Sequence, residues 1–152
     1  KIPVIANGDI DSPQKALAVL AYTGADGVMI GRAAQGRPWI FRDTEHFFAH
    51  GDLPAAPHVV EVAMLMREHL EDHYTLYGEW SGVRSARKHI GWYTEGLPGG
   101  DAFRDALNVL SGSAEQLAAV RTYFSQLADD FDRLPLTAYT MNQPLPALVP
   151  LH

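Results

Sequence analysis

Short apolar runs alternate with helical patterns over the first 50 residues. The runs at residues 2–6 and 27–30 end in glycine-containing turns, which predicts two buried strands. Residues 12–24 have a Ser-Pro start, apolar positions at helical spacing and a terminal glycine, and residues 38–50 predict a second helix. Strands and helices that alternate with short connections are typical of a parallel α/β fold.

Two strands are too few for a stable parallel sheet, because such sheets are normally covered on both faces. Residues 1–50 are therefore expected to be part of a larger domain. The chain also enters its first strand directly after Lys1. We therefore expect that the native N-terminus lies upstream of this residue.

The pattern changes after a linker rich in glycine and proline at residues 51–57. Residues 58–134 predict a helical domain, whose first helix ends at Gly78. Three further helices are predicted to begin at polar caps, which are Ser81, Asp101 and the capping box Ser113-Ala114-Glu115-Gln116. Four prolines follow within residues 135–150, so residues 135–152 are expected to form a disordered tail.

Composition narrows the possible functions. The chain of 152 residues is 47% hydrophobic and 20% charged, as in globular proteins. No apolar run approaches the roughly 20 residues that span a bilayer, so no membrane association is expected. Cysteine is absent, which excludes disulfides and a cysteine nucleophile within these residues. The formal charge of −6 argues against nucleic-acid binding over the whole surface, and RNA contact would need a local basic face.

Glycine-containing turns follow both predicted strands, at Asn7-Gly8-Asp9 and at Gly31-Arg32. Glycine lets a ligand approach the backbone amides, and a guanidinium can bind phosphate oxygens. Taken singly, the first is also an ordinary βα turn, and the second is also an arginine paired with a nearby carboxylate. Two such loops after consecutive strands fit the phosphate site of TIM barrels, with residues 33–35 as a short extra helix. Together they predict a phosphate site.

A local basic face is predicted on the helix that follows Gly78. Arg84, Arg87 and Lys88 have i, i+3, i+4 spacing. Residues 80–94 include these three basic side chains and no acidic one, although the chain as a whole is acidic. Arg104 and Arg121 are expected to extend this face from neighbouring helices, and Trp92 is a weaker candidate for stacking on bases. The alternative is a solvated helix face without a ligand.

Histidines at positions 69 and 73 have the i, i+4 spacing of a helical metal site. The sequence offers no evident third ligand for them, so no metal site is predicted.

Three segments together resemble the tRNA-dihydrouridine synthase family, and its bacterial B-type branch in particular. They are residues 2–10 (IPVIANGDI), residues 24–41 (GADGVMIGRAAQGRPWIF) and residues 84–93 (RSARKHIGWY). The resemblance covers about residues 1–130 and implies the last two βα units of an FMN-binding TIM barrel (1–50), followed by a helical tRNA-binding bundle (58–134).

The resemblance also implies a function. The family reduces uridine in tRNA to dihydrouridine: NADPH reduces FMN, the flavin delivers a hydride to uracil C6, and a cysteine donates the proton to C5. The amides of Asn7, Gly8, Asp9, Gly31 and Arg32 would hold the FMN phosphate, and the basic residues above would contact tRNA. In the family the cysteine, lysine and histidine of the reaction lie in the half that precedes these segments. No catalytic residue is therefore assigned to this chain, which is expected to be inactive alone.

Two other hypotheses remain open. The helical domain alone would be a tRNA-binding module without catalysis, and the two phosphate loops alone would also fit another FMN barrel that acts on a small molecule. Under the leading hypothesis the parent enzyme is expected to be cytoplasmic and monomeric.

Overall fold

The computed structural model describes residues 1–135, so the predicted tail from residue 136 onward lies outside the described residues. The chain forms two compact units, which divide between Ala55 and Ala56. This division lies inside the segment 51–57. The assignment of the two units to FMN and to tRNA stays a prediction.

The first unit has two βα units in sequence order. The strands β1 and β2 are parallel neighbours, with Ile5 opposite Gly27 and Asn7 opposite Met29. The elements are β1 (Ile5–Asn7), α1 (Pro13–Thr23), β2 (Gly27–Met29), a single 3-10 turn (Arg32–Ala34) and α2 (Ile40–His50). The α/β part of the expected fold class is thus present, while the TIM barrel stays a prediction.

Local chemistry sets both ends of α1 as the sequence predicts. The Ser12 hydroxyl oxygen accepts a hydrogen bond from the Lys15 amide at 3.3 Å, which satisfies an otherwise unpaired donor in the first turn. Gly24 adopts a left-handed conformation with φ 64°, and its amide donates to the Leu20 carbonyl at 2.9 Å. These caps direct the chain back from β1 to the start of β2.

The prediction that both strands are buried is wrong for this chain. Val4 is 59% exposed, and Ile5 and Met29 are each 56% exposed. Within residues 1–135 the sheet has only two strands, so little protein is available to cover its faces. Parallel sheets are normally covered on both faces, so a two-stranded sheet with few covering elements leaves apolar side chains exposed.

The second unit consists of helices. They are α3 (Val59–Thr94), α4 (Gly100–Asn108) and α5 (Ser113–Asp130). Gly78 interrupts α3 with φ 73° and ψ 171°, a conformation that is essentially restricted to glycine. We call residues 59–77 the first arm and residues 79–94 the second arm.

The two arms fold back on each other as a helical hairpin. A Cβ added at Gly82 would lie 3.3 Å from the Tyr74 Cα, so the backbones approach closely just beyond the turn. The predicted helix end at Gly78 is confirmed. Ser81 is not the cap of the next helix, because it already lies inside the second arm, where its carbonyl accepts a hydrogen bond from the Ser85 hydroxyl at 2.7 Å.

The core of the second unit lies between α5 and the two arms. Its fully or almost fully buried apolar side chains are Val59, Val62, Met66, Leu70, Val83, Ala86, Ile90, Val120, Phe124 and Leu127. One amide side chain, that of Gln116, is also completely buried. It accepts a hydrogen bond from the Tyr74 hydroxyl at 2.8 Å and donates to the Val83 carbonyl at 3.2 Å, so it links α5 to both arms.

Two other predicted caps are corrected. The helix α4 begins after Gly99, whose φ of 69° turns the chain, and Asp101 lies within its first turn and pairs with Arg104 instead. The cap of α5 is Gly112, whose amide donates to the Glu115 carboxylate at 3.2 Å. Ser113 instead donates its hydroxyl to Glu79 at 2.7 Å, so a contact with α3 replaces the predicted local one.

The two ends of the second unit lie side by side. His58 and Arg133 form an isolated antiparallel bridge. The Val59 amide donates to the Asp132 carbonyl at 3.0 Å, and the Leu134 amide donates to the Pro57 carbonyl at 3.0 Å. The segment that follows α5 is thereby fixed to the start of α3.

Candidate functional site

Both predicted phosphate loops lie at the same edge of the sheet. Because β1 and β2 are parallel and Asn7 is opposite Met29, the residues that follow each strand leave at neighbouring positions. The Arg32 guanidinium donates a hydrogen bond to the Asp9 carboxylate and forms an ion pair with it. The structure therefore brings Asn7, Gly8 and Asp9 together with Gly31 and Arg32, as expected from the sequence.

The backbone of these loops is open to a ligand. A Cβ added at Gly8 or at Gly31 would meet no heavy atom within 4 Å. Asp9 has φ 45°, the left-handed conformation that is uncommon outside glycine. Within residues 1–135, the amides of Asp9 and Gly31 donate no backbone hydrogen bond in the turns and loops. Successive open amides of this kind suit the oxygens of an anion.

The charge of this edge is balanced by its own ion pair. Arg32 and Asp9 are 82% and 72% exposed, so the pair lies in water and contributes little to stability. This pairing is the alternative that the sequence left open for Arg32. An anion at the loops would compete with Asp9 for the guanidinium, or would share it, and would depend chiefly on the backbone amides.

The predicted basic face divides into exposed and half-buried members. Arg84 and Lys88 are exposed one turn apart, and the Arg84 guanidinium lies 5.1 Å from the centroid of the Trp80 ring. Arg87 is half-buried and donates a hydrogen bond to the Leu110 carbonyl at 3.0 Å, just beyond the end of α4. Arg87 therefore fastens the second arm to the segment between α4 and α5, a role that helical spacing did not predict.

The two basic residues on the other helices also differ. Arg104 pairs with Asp101 at 2.8 Å, and its side chain lies 3.4 Å from a Cβ added at Gly91, so it is next to the second arm. Arg121 is exposed on α5. No hydrogen bond or ion pair joins Arg121 to the other predicted RNA contacts within residues 1–135. Exposure and position thus favour Arg84 and Lys88 as the accessible cations.

A comparison with protein families decides the relationship of this chain. The model of the family described as "Dihydrouridine synthase (Dus)" matches residues 1–129. The chain belongs to the dihydrouridine synthase family. The match covers both compact units, so the family accounts for the helical unit as well as the βα units.

Within the dihydrouridine synthase family, the chain is similar to proteins named tRNA-dihydrouridine synthase B. It is 54% identical to the one from Pseudomonas putida over 82% of the chain and 37% of the relative. It is 51% identical to the one from Pectobacterium carotovorum over 84% of the chain and 40% of the relative. It is 53% identical to the one from Pseudomonas aeruginosa over 82% of the chain and 38% of the relative. The chain spans about two fifths of the length of these relatives.

Two further features of this chain concern membrane spans and metal ligands. Among residues 1–135, no helix has the length and apolarity that crossing a membrane requires. His69 and His73 do have a third imidazole beside them, that of His89 on the second arm, so the interpretation that they lack a third ligand is wrong. Helical spacing alone does not indicate this third ligand, because only the hairpin at Gly78 brings His89 to the first arm.

Proposed function

We propose that this chain supplies the FMN-phosphate site and a tRNA-contact surface of an enzyme that reduces uridine to 5,6-dihydrouridine in tRNA, with NADPH as electron donor. The observation that carries the proposal is the meeting of two open glycine loops at one sheet edge, in a chain of this family. The names of the relatives, each a tRNA-dihydrouridine synthase B, support the same activity.

The proposed fold is the end of a TIM barrel followed by a helical bundle. In TIM barrels the loops after the last two strands frequently build a phosphate site at the carboxyl edge of the sheet. The parallel order of β1 and β2 and the open loops after them fit this arrangement. The exposed apolar faces of the sheet fit a barrel in which further strands and helices cover them.

Each loop residue has a proposed part in holding FMN. The amides of Asn7, Gly8 and Asp9, with those of Gly31 and Arg32, would donate hydrogen bonds to the phosphate oxygens. The Arg32 guanidinium would add a positive charge, shared with the Asp9 carboxylate that it contacts. FMN, when bound, supplies the hydride that reduces the uracil ring. The loops would orient it by its phosphate end.

The helical unit is proposed to contact the tRNA backbone. Arg84 and Lys88 are the accessible cations of the second arm, and Arg104 and Arg121 add positive charge on α4 and α5. Lysine and arginine contacts to phosphates supply most sequence-independent affinity for nucleic acids, which weakens as salt concentration rises. Arg87 is proposed to support this surface by holding the second arm in place.

A chimera tests the proposal, in which this chain replaces the matching segment of the Pseudomonas putida relative. The purified chimera is expected to contain FMN and to form dihydrouridine in unmodified tRNA when NADPH is added. A chimera that folds but neither binds FMN nor modifies tRNA would contradict the proposal. One that binds tRNA without FMN would support the binding-module hypothesis instead.

Charge reversal in the same chimera tests the tRNA surface. Arg84→Glu with Lys88→Glu is expected to weaken tRNA binding by about tenfold or more, and to reduce its dependence on salt, because two phosphate contacts are lost. The control is Arg67→Glu, which reverses one 57% exposed arginine on the first arm and is compared with Arg84→Glu alone, since each changes the net charge by two. Equal losses in these two single variants would show that overall charge, rather than this face, determines binding. If the enzyme were instead an FMN barrel that acts on a small molecule, these charge reversals would change neither the binding nor the turnover of that small molecule.

A further inference from the structure

Three histidine side chains meet between the two arms of α3. His69 and His73 are one helical turn apart on the first arm, and His89 lies opposite them on the second arm. The ring centroid of His89 is 4.8 Å from that of His69 and 5.0 Å from that of His73. One ring nitrogen from each histidine can be chosen so that all three lie within 4.8 Å of one another.

We propose that His69, His73 and His89 form a binding site for a zinc ion that joins the two arms. Zinc commonly takes three histidine nitrogens at about 2.0–2.1 Å and leaves its fourth position to water or another ligand. Imidazole donors without carboxylates suit zinc rather than magnesium or calcium. The site would be separate from the FMN loops, which lie in the other compact unit, and it does not depend on the proposed function.

The distances require only side-chain adjustment. Ligand nitrogens around a tetrahedral zinc are about 3.3 Å apart, given bonds of about 2.0–2.1 Å. The widest separation here, 4.8 Å, therefore has to close by about 1.5 Å for that geometry. Rotation about the two side-chain torsions of a histidine moves its ring nitrogens over such a distance while the helix backbone stays in place.

Two oxygen atoms already contact the cluster from the second arm. His73 Nε2 lies 2.7 Å from the Ser85 hydroxyl, and His69 Nδ1 lies 3.4 Å from the Tyr93 hydroxyl. Metal-binding histidines usually use one nitrogen for the ion and the other for an oxygen partner that fixes the ring. Ser85 and Tyr93 are suited to this supporting part, since each imidazole has a second nitrogen.

The surroundings favour the neutral, metal-binding form of His73 and His89. His73 is only 8% exposed, and the other two are half-buried. Burial, and then the neighbouring His69, lower the pKa of His73. Burial lowers the pKa of His89 as well, followed by His69, His73 and Lys88. Neutral imidazoles need release no proton to bind an ion, although the Lys88 charge opposes a cation beside it.

A second histidine pair in the chain shows what the cluster adds. His46 and His50 on α2 also have i, i+4 spacing, with ring centroids 4.4 Å apart. Within residues 1–135, only the cluster of His69, His73 and His89 brings three candidate ligands together. The α2 pair is therefore a matched control, with the same spacing but without a third ligand.

Titration of the metal-free 152-residue chain with ZnCl₂ by calorimetry, and with CoCl₂ by visible absorption, tests the site. One equivalent of each ion is expected to bind, with the intense cobalt bands of a tetrahedral site. His89→Ala is expected to weaken zinc binding by more than about 100-fold, because losing even an outer partner of a metal ligand costs about 10–100-fold. His50→Ala is expected to leave the affinity unchanged.

Three results would overturn the proposal. They are the absence of binding to the chain, equal binding by His89→Ala, and loss of binding in His50→Ala. Circular dichroism of each protein checks that the helices are intact. If His89→Ala fails to fold, His69→Gln replaces it, because this half-buried side chain leaves more room for an amide.

Discussion

The buried amide of Gln116 gives the sharpest test of how the helical unit is held together. Gln116 is completely buried and hydrogen-bonds to the Tyr74 hydroxyl and to the Val83 carbonyl. Leucine has a similar size but neither donor nor acceptor. Gln116→Leu would therefore remove both hydrogen bonds and leave the core filled.

The expected loss of stability is about 2–3 kcal/mol. Each lost hydrogen bond accounts for about 0.5–1.5 kcal/mol, and a polar group left buried without a partner adds about 1–3 kcal/mol. The Tyr74 hydroxyl is the group left without a partner, since the Val83 carbonyl keeps the intrahelical bond of its position. Burial, with the nearby Glu79 charge, raises the pKa of Tyr74 to about 12, so its hydroxyl remains a donor at neutral pH. The apolar leucine side chain offsets part of the sum.

The assay is urea unfolding of the full chain, followed by the helical circular dichroism signal. The midpoint should fall for Gln116→Leu without a change in the slope m, as expected for a loss of stability alone. Tyr74→Phe is the second single variant, because it leaves the Gln116 carbonyl oxygen buried without a donor. The double variant replaces both partners by apolar groups, a change that is often nearly neutral.

The double-mutant cycle decides the matter. The sum of the stability losses of the two single variants should exceed the loss of the double variant by about 1–2 kcal/mol, as for residues in direct contact. Purely additive losses would refute the reasoning, because they would mean that the two side chains do not interact energetically. A loss below about 0.5 kcal/mol for Gln116→Leu would refute it as well, since surface substitutions typically have effects of that size.

Three other predictions concern the remaining features. In the chimera, Arg32→Ala should weaken FMN binding about tenfold in a fluorescence titration, because a hydrogen bond to a charged group contributes about 1.5–3 kcal/mol before solvent screening. Riboflavin, which has no phosphate, should bind as before, and Lys15→Ala is the control. Gly100→Ala should lower the free energy of unfolding by about 1–3 kcal/mol or more, since its Cβ would lie 2.2 Å from a main-chain oxygen of α3; unchanged stability would contradict this approach. With a chelator present, the helical unit should lose stability as pH falls below the ordinary histidine value of 6.5. The pKa values of His73 and His89 are lowered in the folded state, so the unfolded chain binds more protons there. NMR titration of the imidazoles checks the direction, and folded-state values at or above 6.5 would contradict it.

Sequence reasoning succeeded where neighbouring residues determine the structure. The cap of α1 at Ser12 and its end at Gly24 depend on contacts within four residues, so the local sequence contains the whole signal. The same holds for Gly78, where the required backbone conformation selects glycine. The glycine-containing motifs after both strands predicted two neighbouring loops, and the parallel register of the strands explains why these loops meet.

Sequence reasoning failed where a distant residue competes for a side chain. Ser113 was predicted to be a local cap, but its hydroxyl donates a hydrogen bond to Glu79 on the second arm. Arg87 was predicted to be a surface cation, but its guanidinium donates a hydrogen bond to the Leu110 carbonyl. The partners in both cases are more than 20 residues away, and only tertiary packing decides between them. His89 was missed for the same reason, although pairing the positions on either side of Gly78 as a hairpin would have placed it near His69.

The backbone bridge between His58 and Arg133 joins the two ends of the helical unit. Its entry and exit lie together, as in modules that tolerate being inserted into the loop of a host protein. A pulling force applied between the preceding linker and the segment after α5 would act first on the few hydrogen bonds that join these two ends. The helices themselves would be loaded only after these hydrogen bonds had broken.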